Sequence, residues 1–226
     1  MTEAEWLDER TNPQRMVLAL LQDTSAARTK VGRRKLRLYA CGCCRLIWPH
    51  LDPRLRGAVE AAERFADGEL TARELDKARR RADDGKGRSF SPEFPCAQTD
   101  TAVAMAVHTT DPKPSWAASN MTCYPLSLAG YRGAEAEAEA LVRALLRDIF
   151  GNPYRPVGID RAWRTSTAVA LAKQMYETHD FSAMPILADA LQDAGCEDES
   201  TLGHCRDPKQ LHARGCWVVD LVFGKA

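Results

Sequence analysis

At 226 residues and 25.1 kDa, the chain is long enough to bury a core without staples and fits one large domain or two small ones. Its 31 Lys and Arg balance 31 Asp and Glu, which excludes a chain-wide field pulling it onto nucleic acid or anionic lipid. No apolar run approaches the roughly 20 residues needed to span a bilayer.

The acidic opening MTEAEWLDER lacks the basic and apolar regions of a secretory signal. The expected compartment is therefore a reducing cytoplasm. There, eight cysteines point to buried apolar residues, metal ligands or redox thiols before structural disulfides.

In chain order, residues 2–10 read as a short helical or irregular lead-in that offers Trp6 and Leu7 to the core. Thr11 or Asn12 can cap a helix with Pro13 at its first position, followed by Met16, Val17, Leu20 and Leu21 at helical spacing. Residues 23–32 are polar, contain Gly32, and read as a loop. A helix over 33–48 buries Leu36, Tyr39, Ala40, Cys43, Cys44 and Ile47.

Asp52-Pro53 opens the next helix, and Thr71 with Glu74 forms a capping box for a charged helix over 72–83. The Gly, Pro and Ser of residues 84–95 read as a loop and a candidate subdomain seam. An alanine-rich helix is expected over 96–108. Three prolines make 109–132 read as irregular or partly helical. Helices follow over 134–150, 162–178, 184–194 (ended by Gly195) and 198–205. After a polar loop at 206–214, the segment Cys216–Phe223 reads as helix, with strand as the alternative. The expected fold is all-α: a single irregular multi-helix globular domain over 1–226 with long loops.

Metal- and thiol-capable groups are densest near the C-terminus, at Cys196, His204, Cys205, His212 and Cys216. Structural zinc takes four thiolate or imidazole donors in a tetrahedron, and His212-x3-Cys216 has the spacing of one ligand pair. No C-x2-C supplies a first pair. The competing reading is packing, because free cysteine is among the most buried residue types; the spacing favours it over a metal.

Cys41 and Cys44 form a C-x-x-C, but LRLYA before them already reads as helix, so no helix N-terminus lowers their thiols. They are candidates for a composite metal site or a redox pair, with core packing the simpler account. A basic run through Arg33, Arg34, Lys35 and Arg37 could meet phosphates. Interleaved acids make a solvated helix face the simpler account, and nucleic acid an unfavoured partner. Asp148 lies on an apolar helix and is expected to pair with an arginine such as Arg147 or Arg155.

The blocks MTEAEWL, RKLRLYACGCCRLIW, AVEAAERFADGE, LLRDIFGNPYRPV and the stretch from Pro185 to Gly224 together resemble an uncharacterised family of bacterial proteins found mainly in planctomycetes. The resemblance covers about half the chain. It implies a bacterial cytoplasmic protein and carries no activity, cofactor or residue role.

The leading expectation is a non-enzymatic binding or scaffold protein with an unidentified protein partner, for which the C-terminal Cys/His cluster is the candidate structural zinc site. The alternatives are a thiol redox or cysteine-dependent enzyme using Cys41 and Cys44 or Cys205, and nucleic-acid binding through residues 28–45.

Overall fold

The computed structural model describes residues 1–83, 104–130, 134–158 and 160–225; among them every regular element is helical and no strand occurs. The all-α expectation holds. The last segment, read as helix with strand as its alternative, is the helix Trp217–Phe223. The chain divides into two compact units, Met1–Leu146 and Arg147–Ala226. The seam expected at 84–95 lies outside the described residues.

In the first unit, helix starts follow the caps written in the sequence. Asn12 accepts from the backbone N–H groups of Gln14 and Arg15 ahead of Pro13–Gln22, which satisfies donors that no helical carbonyl can reach. Thr71 and Glu74 cap each other's backbone reciprocally. Trp6 is buried as expected, whereas Leu7 is 53% exposed: a five-residue helix, Glu3–Leu7, turns one side chain inward and its neighbour outward.

Two expectations change. The helix read as 33–48 runs Lys30–Arg45, with Thr29 as its cap. Gly32 therefore sits inside the helix instead of in the preceding loop. It is glycine for contact reasons, since a Cβ there would lie 2.2 Å from the Ala26 carbonyl oxygen. The stretch 109–132, read as irregular, contains the helix Pro114–Gly130. Pro114 takes the first position, where its missing N–H costs nothing. An interior proline costs about 3 kcal/mol, yet this helix, continuous through Pro125, packs against Lys30–Arg45 and Pro13–Gln22. Tertiary packing decides the element.

The second unit is built from Ser166–Thr178, Met184–Asp193, Glu199–Arg206 and Trp217–Phe223. The helix read as 162–178 begins at Thr165, which caps Ala168, after a separate 3-10 turn at Arg161–Trp163. Met175, Leu187, Ala188, Val219 and Val222 form its core together with Cys196, Cys205 and Cys216. Burying each large aliphatic side chain contributes about 1.5–3 kcal/mol. The buried Tyr176 hydroxyl donates to Asp220. Arg164 donates to the carbonyls of Val222 and Phe223 at 2.7 and 3.1 Å, filling acceptors that the last helix leaves open. Between Arg206 and Trp217 the chain has no regular element, and this loop carries half of the candidate site.

Candidate metal centre

Four side chains of the second unit converge: Asp148, His204, His212 and Cys216 each offer one ligand atom, and these atoms all lie within 4.8 Å of one another. Asp148 stands in the last turn of the helix Glu135–Phe150. His204 comes from the helix Glu199–Arg206, which starts on an Asp198 side chain that accepts from the Thr201 N–H at 2.7 Å. His212 lies in the loop. Cys216 is the residue from which the final helix springs, its carbonyl accepting from the Asp220 N–H at 2.8 Å.

Local backbone explains the convergence. Gly151 ends the Asp148 helix with φ +64, and a Cβ there would sit 3.2 Å from the Trp217 ring. The indole passes over that glycine and reaches His204, ring centroids 5.2 Å apart. Gly215, with φ +100, turns the loop into Cys216, a conformation that costs glycine little.

Asp148 Oδ1 lies 3.0 Å from His212 Nδ1 and 3.2 Å from His204 Nε2. Cys216 Sγ lies 3.2 Å from the same His204 nitrogen and 3.9 Å from the same His212 nitrogen. Each imidazole thus presents a single nitrogen to both the carboxylate oxygen and the sulfur. Zinc bonds of about 2.0–2.3 Å to O, N and S in a tetrahedron separate neighbouring donors by roughly 3.3–3.6 Å. The observed edges straddle that range. The second oxygen, Asp148 Oδ2, accepts from the Ala213 N–H at 2.8 Å, leaving Oδ1 alone to face the cluster.

Charge points the same way. Asp148 and Cys216 are fully buried, and the histidine side chains are 10% and 8% exposed. Burial raises the Asp148 carboxyl pKa, but the hydrogen bonds and charges of His204 and His212 outweigh it and hold the group below its ordinary value. Burial, with the Asp148 charge beside it, pushes the Cys216 thiol well up. A carboxylate out of water requires a cationic partner. A divalent ion would neutralise Asp148 and a Cys216 thiolate together, displacing the thiol proton.

Of the five C-terminal candidates for a metal site, the group contains His204, His212 and Cys216, and it does not contain Cys196 or Cys205. Both cysteines are 1% exposed members of the apolar core. Burial pushes the Cys205 thiol up to about 12, with the Asp148 charge adding to it. Sequence reading missed Asp148 as a ligand; its expected pairing with Arg147 or Arg155 gives way to His204, His212 and the Ala213 amide.

The remaining sequence candidates lie in the first unit. Cys41 and Cys44 are buried in mid-helix, and burial pushes both thiols well up, with Glu63 and neighbouring cysteines adding to it. Arg34 is paired at 2.8 Å with Asp67, whose side chain is 1% exposed. Arg37 is buried and donates to the carbonyls of Thr109 and Asp111. Arg33 is exposed and donates to the Arg28 carbonyl, and Lys35 is half-buried. Half of the basic quartet is thus committed inside the protein.

No family model, no curated protein and no solved structure matches the chain.

Proposed function

We propose that this chain is a non-enzymatic, zinc-binding scaffold protein whose Asp148, His204, His212 and Cys216 hold one structural ion. The observation that carries the reading is the pair of imidazole nitrogens that each face both Asp148 Oδ1 and Cys216 Sγ. Two nitrogens, one oxygen and one sulfur form a mixed, borderline donor set suited to zinc. Four protein ligands in a nearly buried cluster are the pattern of a structural site, because a catalytic one keeps a position open.

The ion's work would be to hold the loop 207–216. That loop contributes no helix or strand, and the site joins it to the end of one helix and the start of another. A protein partner in a bacterial cytoplasm completes the scaffold reading. The chain's charge is balanced, and no helix among the described residues is long and apolar enough to cross a membrane.

Elemental analysis of untagged protein tests the reading: about one zinc per chain is expected. Fully folded protein that arrives without zinc and takes up none would sink it.

A further inference from the structure

Within the second unit, a pocket of about 350 Å³ adjoins the metal centre, inside the range of about 300–1,000 Å³ typical of small-molecule sites. His212 belongs to both. Its Nδ1 faces Asp148 and Cys216, and His212 is also among the residues that line the pocket. The side chain is 8% exposed, and its Nε2 has no hydrogen-bond partner among the described residues.

Metal at Nδ1 fixes the tautomer, because the other ring nitrogen must then carry the proton. A buried ligand ring ordinarily donates that proton to a carboxylate or carbonyl. Among the described residues no such acceptor meets Nε2, and the pocket that His212 lines is a place where a ligand could supply one.

The rest of the wall defines what fits. Asp180 and Asp207, both exposed, accept from the backbone N–H groups of Ser182 and Lys209, Asp180 also from the Ser182 side chain, and neither has an ion-pair partner among the described residues. Phe181, Met184 and Pro208 add apolar surface. The Phe181 ring tilts over His212, centroids 6.3 Å apart. The wall therefore asks for a positive charge, a nearby hydrogen-bond acceptor and a small apolar group.

We propose that this pocket binds an α-amino carbonyl compound. Its ammonium lies toward Asp180 and Asp207, its carbonyl or carboxylate oxygen accepts from His212 Nε2–H, and its side chain rests on Phe181, Met184 and Pro208. The inference rests on the zinc reading, since the ion sets the tautomer of His212. Free amino acids and peptide amino termini share this chemistry.

The test uses the zinc-loaded full chain, with zinc content measured first and again after titration. L-leucinamide, L-leucine, the peptide Leu-Gly-Gly and N-acetyl-L-leucinamide are titrated by calorimetry. L-leucinamide should bind with a dissociation constant below about 1 mM. Acetylation, which removes the charge, should weaken binding at least tenfold, as should Asp180→Asn or Asp207→Asn, which keep an oxygen for the Ser182 and Lys209 amides. Binding of Leu-Gly-Gly as tight as leucinamide assigns the pocket to peptide termini; its exclusion assigns it to free amino acids. One zinc per chain with no leucinamide binding, or equal binding of the acetylated compound, overturns the pocket inference alone. A chain that takes up no zinc overturns both readings before any amine is added.

Discussion

His204 and His212 meet edge to face, ring centroids 4.9 Å apart and planes at 80°, and both turn a nitrogen to the same oxygen of Asp148. Two rings holding one carboxylate oxygen fit either a hydrogen-bonded cluster or the frame of a coordination sphere. Substitution distinguishes them. His204→Ala, His212→Ala or Cys216→Ala should each lower zinc affinity by more than the roughly 10–100-fold typical of losing an outer-shell partner. Cys196→Ala and Cys205→Ala should leave affinity within a few-fold, because neither sulfur belongs to the group. Competition against a chromogenic chelator reads all five. Equal losses across the set would place the ion elsewhere.

The fold was legible where local chemistry decides it. Asn12, Asp52, Thr71 and Asp198 cap helices because their side chains reach amides that no helical carbonyl serves. Proline content misled at 109–132, where packing against two neighbouring helices overrides a local penalty. At the site, His212-x3-Cys216 was visible because both residues lie within a few positions of each other. Asp148 lies 64 positions from His212, beyond any local pattern. A trace of it was present nonetheless. An acid on the apolar stripe, three residues after Leu145 and one before Ile149, stands in the last turn, where the helix dipole disfavours negative charge. Such a residue needs a strong partner, and arginine was only one candidate.

Asp148 should govern the acid stability of the metal-free chain. Its folded pKa lies below the ordinary value. A depressed carboxylate contributes stability above its unfolded pKa, near 3.9, and loses it as pH falls through the folded value. Metal-free wild-type protein should therefore destabilise on acidification below about pH 4, and Asp148→Asn should flatten that limb while lowering the plateau at neutral pH. Chemical unfolding at a series of pH values measures both. Parallel acid limbs for the two proteins would show that another group sets the transition.

The described thiols should be slow nucleophiles in the folded chain. Cys43 is pushed to about 12 by burial, and Cys205 to about 12 by burial and the Asp148 charge. At pH 7.5 such a thiol holds roughly a thousandfold less thiolate than a free one, and access is limited as well. Native protein with iodoacetamide should show Cys41, Cys43, Cys44 and Cys205 unmodified long after a small thiol has reacted, with full labelling on unfolding. Peptide mass mapping assigns each site. Rapid labelling of Cys41 or Cys44 in folded protein would revive thiol chemistry for that pair.

Two glycines in adjacent helices of the first unit should respond to alanine with opposite signs. Gly57 lies inside Pro53–Ala66 with nothing within 4 Å of where its Cβ would stand. Gly57→Ala removes backbone freedom from the unfolded chain and meets no neighbour, so it should stabilise by about 0.5–1 kcal/mol. Gly32 is also helical, but its added Cβ would stand 2.2 Å from the Ala26 carbonyl oxygen and 2.4 Å from the Ala26 Cα. Those are backbone atoms that cannot rotate aside. The same change there should destabilise by about 1–3 kcal/mol through overpacking, despite alanine's better helix propensity. Denaturant midpoints at constant slope compare the two variants directly. A stabilised Gly32→Ala protein would mean that the turn at Ala26 does not pass against this helix as described.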